Sequence, residues 1–202
     1  MLLSCIRISV VVILTLILAL PLVAQDEKIN PRVILETNMG EIELELYPDK
    51  APVSVENFLS YIRSEFYDNT IFHRIIDGFM IQGGGLDKGL NRKKTRPPIV
   101  NEATNSLKNK RGTIVYARTG VINSATSQFF INLVDNDNLN HKSKTQNGYG
   151  YAVFGNVIKG MKVVDRIGKV KTGSQRGMND VPLKQVIILS AKIVKKEEIE
   201  KK

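Results

Sequence analysis

Tryptophan is absent from this 202-residue chain, cysteine occurs once and histidine twice. The cysteine, Cys5, stands ahead of the first apolar run, which argues against a lipid anchor. Everything after it lacks a disulfide framework and a thiolate for zinc, so stability rests on the core. His73 and His141 alone supply a zinc site poorly. Gly83-Gly84-Gly85 is not followed by the Lys-Ser/Thr of a phosphate loop. No serine sits in a Gly-x-Ser-x-Gly elbow. Metal-assisted, phosphoryl-transfer and serine-nucleophile chemistry are therefore poorly supported.

Charge is scarce at the N-terminus. Arg7 is the sole charged residue among the first 24, and Ile8 to Leu20 is a 13-residue run interrupted by Ser9 and Thr15. A basic start, a run short of the roughly 20 residues that span a bilayer, and Ala24 at a polar exit predict a secretory signal peptide over 1–24. The alternative is an uncleaved anchor, and Leu22 fits the small-x-small exit poorly. A short polar linker over 25–30, one domain over 31–194 and a charged flexible tail over 195–202 complete the expected organisation. Setting Arg7 aside from 29 basic residues leaves a net charge of +8 against 20 acidic ones. That charge is scattered over loop-like segments without interleaved aromatics, so a nucleic-acid partner is not expected.

The remaining pattern is strand-rich. Ile42, Leu44 and Leu46 alternate with Glu41, Glu43 and Glu45, which predicts a half-buried strand paired with Arg32–Thr37 through Asn38-Met39-Gly40. Pro52 suits a helix first turn, and Val55, Phe58, Leu59 and Ile62 form one buried stripe. Met161, Val164 and Ile167 mark a short second helix. Further strands are expected over 71–76, 80–82, 112–117, 129–133, 152–158 and 186–194. Eight strands joined by links too short for parallel crossovers predict a mainly β fold, a closed eight-stranded antiparallel barrel capped by two α-helices. The polar segment 134–150, with asparagines at 136, 138 and 140, is long enough to be functional or mobile.

Strand alternation places Phe72, Arg74 and Ile76 on one face of 71–76, and His73 and Ile75 on the other. His73 reads as a hydrogen-bonded structural histidine. An arginine among apolar neighbours must be paired or working, because an isolated buried charge is costly. A cationic donor beside a small apolar pocket, with no nucleophile or general base, suits a reaction that moves no atoms between molecules.

The segment Phe72–Gly84 resembles the core motif of the cyclophilin family of peptidyl-prolyl isomerases. Ala125–Asn132 resembles the family's second motif, and Val153–Val157 with Gly160-Met161 its third. The similarity runs in order from Pro31 to Val194. Glu41–Leu46, Ala51–Phe58 and Arg111–Ile114 bring it nearest the exported bacterial members. The resemblance implies rotation of X-Pro peptide bonds without any cofactor, on proline-containing unfolded or exported polypeptides. It implies catalytic roles for Arg74, Phe79 and Gln82, with Gln82 orienting the arginine. It places Met80, Ala117, Arg118, Gln128, Phe130, Leu139 and Tyr151 at the substrate, with Phe79, Met80, Phe130 and Leu139 walling the proline pocket. With the signal removed, the expectation is a soluble, monomeric, periplasmic isomerase with no stable membrane association. A non-catalytic proline-binding export chaperone is the alternative. Asp77 stands for a usual proline, Arg118 for an asparagine of many eukaryotic members, and Tyr151 for a frequent histidine. Asn138 falls at the tryptophan that contacts cyclosporin in many members, so that drug should bind weakly.

Overall fold

The alternation in the first hairpin becomes β1 (Arg32–Thr37) and β2 (Gly40–Leu46), with Val33 opposite Leu44 and Leu35 opposite Ile42. All four are fully buried. Glu43 lies on the outer face and is nevertheless covered, held by Lys159 at 2.8 Å and Arg32 at 3.8 Å. The computed structural model describes residues 29–195 and Ile199. Segment 1–24, linker residues 25–28 and the rest of the tail lie outside the described residues.

The other strands are β3 (Thr70–Ile76), β4 (Met80–Asp87), β5 (Thr113–Tyr116), β6 (Phe129–Asn132), β7 (Val153–Lys159), β8 (Thr172–Gln175), β9 (Met178–Pro182) and β10 (Val186–Ile193). Eight of them close an antiparallel barrel in the order β1-β10-β3-β4-β6-β5-β7-β2. The remaining pair, β8 and β9, forms a separate hairpin. No strand was expected there.

Helix α1 (Pro52–Arg63) buries Val55, Phe58, Leu59 and Ile62, and α2 (Met161–Gly168) buries Val164 and Ile167. The Ala51 side chain offers α1 no cap. Glu102 does so from a distant loop, its carboxylate accepting from the backbone N–H of Val53 at 3.1 Å and of Ser54 at 2.8 Å. A carboxylate at the positive end of a helix is stabilising. Phe58 anchors α1 to the barrel interior, with ring centroids 5.2 Å from Tyr67, 5.5 Å from Phe129 and 5.3 Å from Phe154. Truncating such a side chain to alanine costs about 3–5 kcal/mol.

Strand β4 reaches Asp87, five residues past the expected Gln82, because its glycines belong to the ladder. They admit bulky neighbours. A Cβ on Gly84, whose φ is +79°, would stand 2.8 Å from the Phe129 ring, and one on Gly85 would stand 2.4 Å from Gln128 Cγ. The glycine run therefore serves packing.

A bulge in β3 corrects the facing of 71–76. Phe72 pairs with Gly83 and Arg74 with Gln82, so two steps along β3 match one along β4 and His73 is the extra residue. Phe72 and Ile75 consequently both enter the core, while Ile76 packs outside it.

Candidate active site

Outside the barrel interior lies a second apolar cluster. Met80, Val115, Phe130 and Val153 are buried there, with Ile76, Phe79, Ala117, Leu139 and Tyr151 packed against them. The strand register builds it. Arg74 opposes Gln82, Gln82 opposes Phe130, and Phe130 opposes Val115, making one row across β3, β4, β6 and β5. Above this row a cavity of about 290 Å³ is lined by Arg74, Phe79, Met80, Gln82, Ala117, Arg118, Phe130, Leu139 and Tyr151. These are nine of the ten residues singled out in the sequence. The tenth, Gln128, borders two adjoining cavities of about 400 and 210 Å³ instead.

The far wall comes from segment 134–150, and its asparagines pin it. Buried Asn136 donates to the Phe79 carbonyl at 3.0 Å and to Asn132 Oδ1 at 2.7 Å. Asn140 Oδ1 accepts from the Asn109 backbone at 2.7 Å. The 3₁₀ turn Asp137–Leu139 then sets Leu139 at the cavity, and Asn138 is exposed beside it. Arg118 fastens the other end of the segment. It stacks over Tyr151 at 4.7 Å and donates to the carbonyls of Gly150, Thr119 and Gln146 at 3.0, 2.9 and 3.2 Å. Its guanidinium therefore builds the wall.

The chain leading into Gln128 is held by Asn57 of α1 and by Tyr67, which follows that helix. Asn57 donates to the Thr126 carbonyl at 2.7 Å and Tyr67 to the Ser127 carbonyl at 2.9 Å. Gln128 Oε1 then accepts from Gln82 Nε2 at 2.9 Å. Among the described residues no hydrogen bond joins Gln82 to Arg74, although the two are register neighbours. The partner of Arg74 is Asp180 of β9, whose Oδ2 lies 3.6 Å from Nε. Sequence reasoning missed Asp180 because the 172–182 stretch has no apolar alternation. The turn residues Arg176-Gly177 were the one available sign of a hairpin.

The bulge also brings His73 out toward the groove, into the 400 Å³ cavity beside Arg74. The histidine is 7% exposed and its Nδ1 has no hydrogen-bond partner of proper geometry. Burial is the main cause that lowers its pKa to about 4, and the Ile71 carbonyl and Gln128 amide oppose that shift too weakly to reverse it. His73 is therefore neutral at physiological pH, so Arg74 has no second cation beside it on β3.

The central cavity presents a guanidinium, an amide and an apolar floor, and none of its lining residues is a serine, cysteine or carboxylate. Such a barrel and site define the class: a closed antiparallel β-barrel with a cationic donor beside an apolar pocket on its outer face. The chain belongs to the cyclophilin-type peptidyl-prolyl cis-trans isomerases, whose family profile, "Cyclophilin type peptidyl-prolyl cis-trans isomerase/CLD", matches residues 32–193. It is 57% identical to peptidyl-prolyl cis-trans isomerase cyp18 of Streptomyces antibioticus, over 80% of this chain and 98% of the relative. It is 53% identical to peptidyl-prolyl cis-trans isomerase B of Escherichia coli, again over 80% and 98%. A crystal structure of a Cryptosporidium parvum cyclophilin in the presence of the dipeptide Ala-Pro superposes with a TM-score of 0.66 at 28% identity, covering 81% of this chain and 99% of that one.

Proposed function

We propose that this isomerase turns X-Pro bonds of exported polypeptides with Arg74 as the catalytic cation and the adjoining apolar pocket as the proline seat. The observation that carries the reading is their meeting in one cavity of about 290 Å³. Turning the bond breaks amide resonance, at a barrier of about 18–20 kcal/mol. In the twisted state the imide nitrogen becomes pyramidal and gains a lone pair. A guanidinium aimed at that lone pair binds the twisted form better than either planar form, which is what acceleration requires. A charge-assisted hydrogen bond of about 1.5–3 kcal/mol supplies one to two decades. The rest comes from fixing the proline ring against Phe79, Met80, Phe130 and Leu139 while the amide region of Gln82 and Gln128 and the backbone at Ala117 hold the flanking chain. Arg118 and Tyr151 keep the outer wall in place.

The wild-type protein should accelerate refolding of a substrate limited by proline isomerisation. Binding of unfolded chains with no acceleration would leave the chaperone reading instead.

The setting we propose is the periplasm of a Gram-negative cell, reached through cleavage after residue 24, with a soluble monomer as the product. Short run length and the lone N-terminal Arg7 support this. Among the described residues no helix is long and apolar enough to cross a membrane. N-terminal sequencing and fractionation of the natural protein test it. A start near Gln25 in the soluble periplasmic fraction is expected, and retention of 1–24 in the membrane pellet would overturn it.

A further inference from the structure

The β8–β9 hairpin takes no part in the barrel ladder, yet β9 packs on β3 beside Arg74. Buried Val181 and Pro182 root it, and Leu183 donates its backbone N–H to the Lys171 carbonyl at 2.9 Å. From this base Asp180 reaches Arg74, Oδ2 to Nε, at 3.6 Å. Asp180 has a φ of +59°, a left-handed conformation that only glycine, asparagine and aspartate adopt readily. Its neighbours Met178 and Asn179 line the 400 Å³ cavity that also borders Arg74, so the hairpin closes that flank of the site.

We propose that Asp180 is a positioning residue for the Arg74 guanidinium, delivered to it by this hairpin. The inference rests on the reading of Arg74 as the catalytic cation. An arginine side chain has several free torsions, and holding it toward a substrate costs rotamer entropy. Among the described residues Asp180 is the only polar partner of that guanidinium. It approaches at Nε, so neither terminal nitrogen of the guanidinium is taken up by an ion pair among the described residues. The pair is 42% and 39% exposed, so water screens the carboxylate and most of the cationic field survives. Asp180 thus orients the guanidinium without neutralising it.

The test uses Asp180→Asn, which keeps the size and the left-handed backbone and removes the charge, with Asp180→Gly as a second variant compatible with that backbone. Both should lower kcat by about three- to fivefold, the range of a solvent-exposed ion pair, with KM within about twofold and an unchanged melting temperature. In an Arg74→Ala background, Asp180→Asn should cost nothing further, because its action passes through the arginine. Wild-type kcat in both single variants, or an equal loss with and without Arg74, would overturn the proposal. If Arg74→Ala alone keeps full activity, the reading of the site fails. If Arg74→Ala is impaired and the Asp180 variants are not, only this inference fails.

Discussion

Gln82 lies opposite Arg74 in the β3–β4 register, yet its side-chain amide donates to Gln128 Oε1 at 2.9 Å. The two glutamines bridge the groove floor to the segment held by Asn57 and Tyr67. That bridge needs Gly85, above which the Gln128 side chain runs. Alanine at Gly85 would bring Cβ to 2.4 Å from Gln128 Cγ and 2.7 Å from Nε2. The nearest atom is Cγ, in the middle of the side chain, so Gln128 must leave its rotamer and the expected cost falls within the roughly 1–3 kcal/mol of overpacking. Gly85→Ala should therefore lower kcat/KM several-fold together with the melting temperature. In a Gln128→Ala background the same change should cost far less, since the space is vacant. Equal costs in both backgrounds would separate Gly85 from the glutamine bridge.

Arg74→Ala should reduce kcat/KM on a proline peptide by at least about tenfold, equivalent to about 1.4 kcal/mol of lost preference for the twisted state. Its side chain is 42% exposed and holds one screened ion pair, so the melting temperature should stay within about 2 °C of wild type. Near-normal turnover in the folded variant would remove Arg74 from the mechanism.

His73 predicts a pH dependence of stability. Its folded pKa, about 4, lies below the ordinary 6.5, so the unfolded chain takes up the proton first as pH falls. The stability from keeping it neutral is present above about pH 6.5 and is lost progressively toward pH 4, amounting to at most about 3 kcal/mol. Denaturant midpoints of wild type should decline across that window, and His73→Gln should flatten the decline. Parallel profiles for the two proteins would show that burial does not hold His73 neutral.

Asn138 is exposed on the turn that sets Leu139 at the cavity, and it offers little flat apolar area. Cyclosporin should bind weakly, and Asn138→Trp should tighten it about tenfold, as expected if part of an indole's area leaves water on binding. Titration calorimetry decides this. Nanomolar binding by the wild type would show that the contact lies elsewhere.

Residue periodicity was enough to imply the closed barrel, and the family resemblance pointed to the residues that line its outer cavity. Alternation in β2, the apolar stripe of α1 and the short links leave few topologies, and the first two motifs carry Arg74, Phe79, Met80, Gln82 and Phe130 of the cavity, while Ala117, Arg118, Leu139 and Tyr151 come from segments between motifs. Three features were decided by tertiary structure. The bulge at His73 changes which side chains share a face, and bulges arise from the pairing of two strands, which neither strand encodes alone. The β8–β9 hairpin has polar strands without alternation, so it became visible when Val181 and Pro182 docked and Asp180 met Arg74. The Gln82–Gln128 bond is made by a Gln128 side chain that passes over Gly85, where a Cβ would stand 2.4 Å from Gln128 Cγ. Periodicity records which residues are buried. Pairings between polar side chains distant in sequence depend on distances of a few ångströms, and those exist once the barrel has closed.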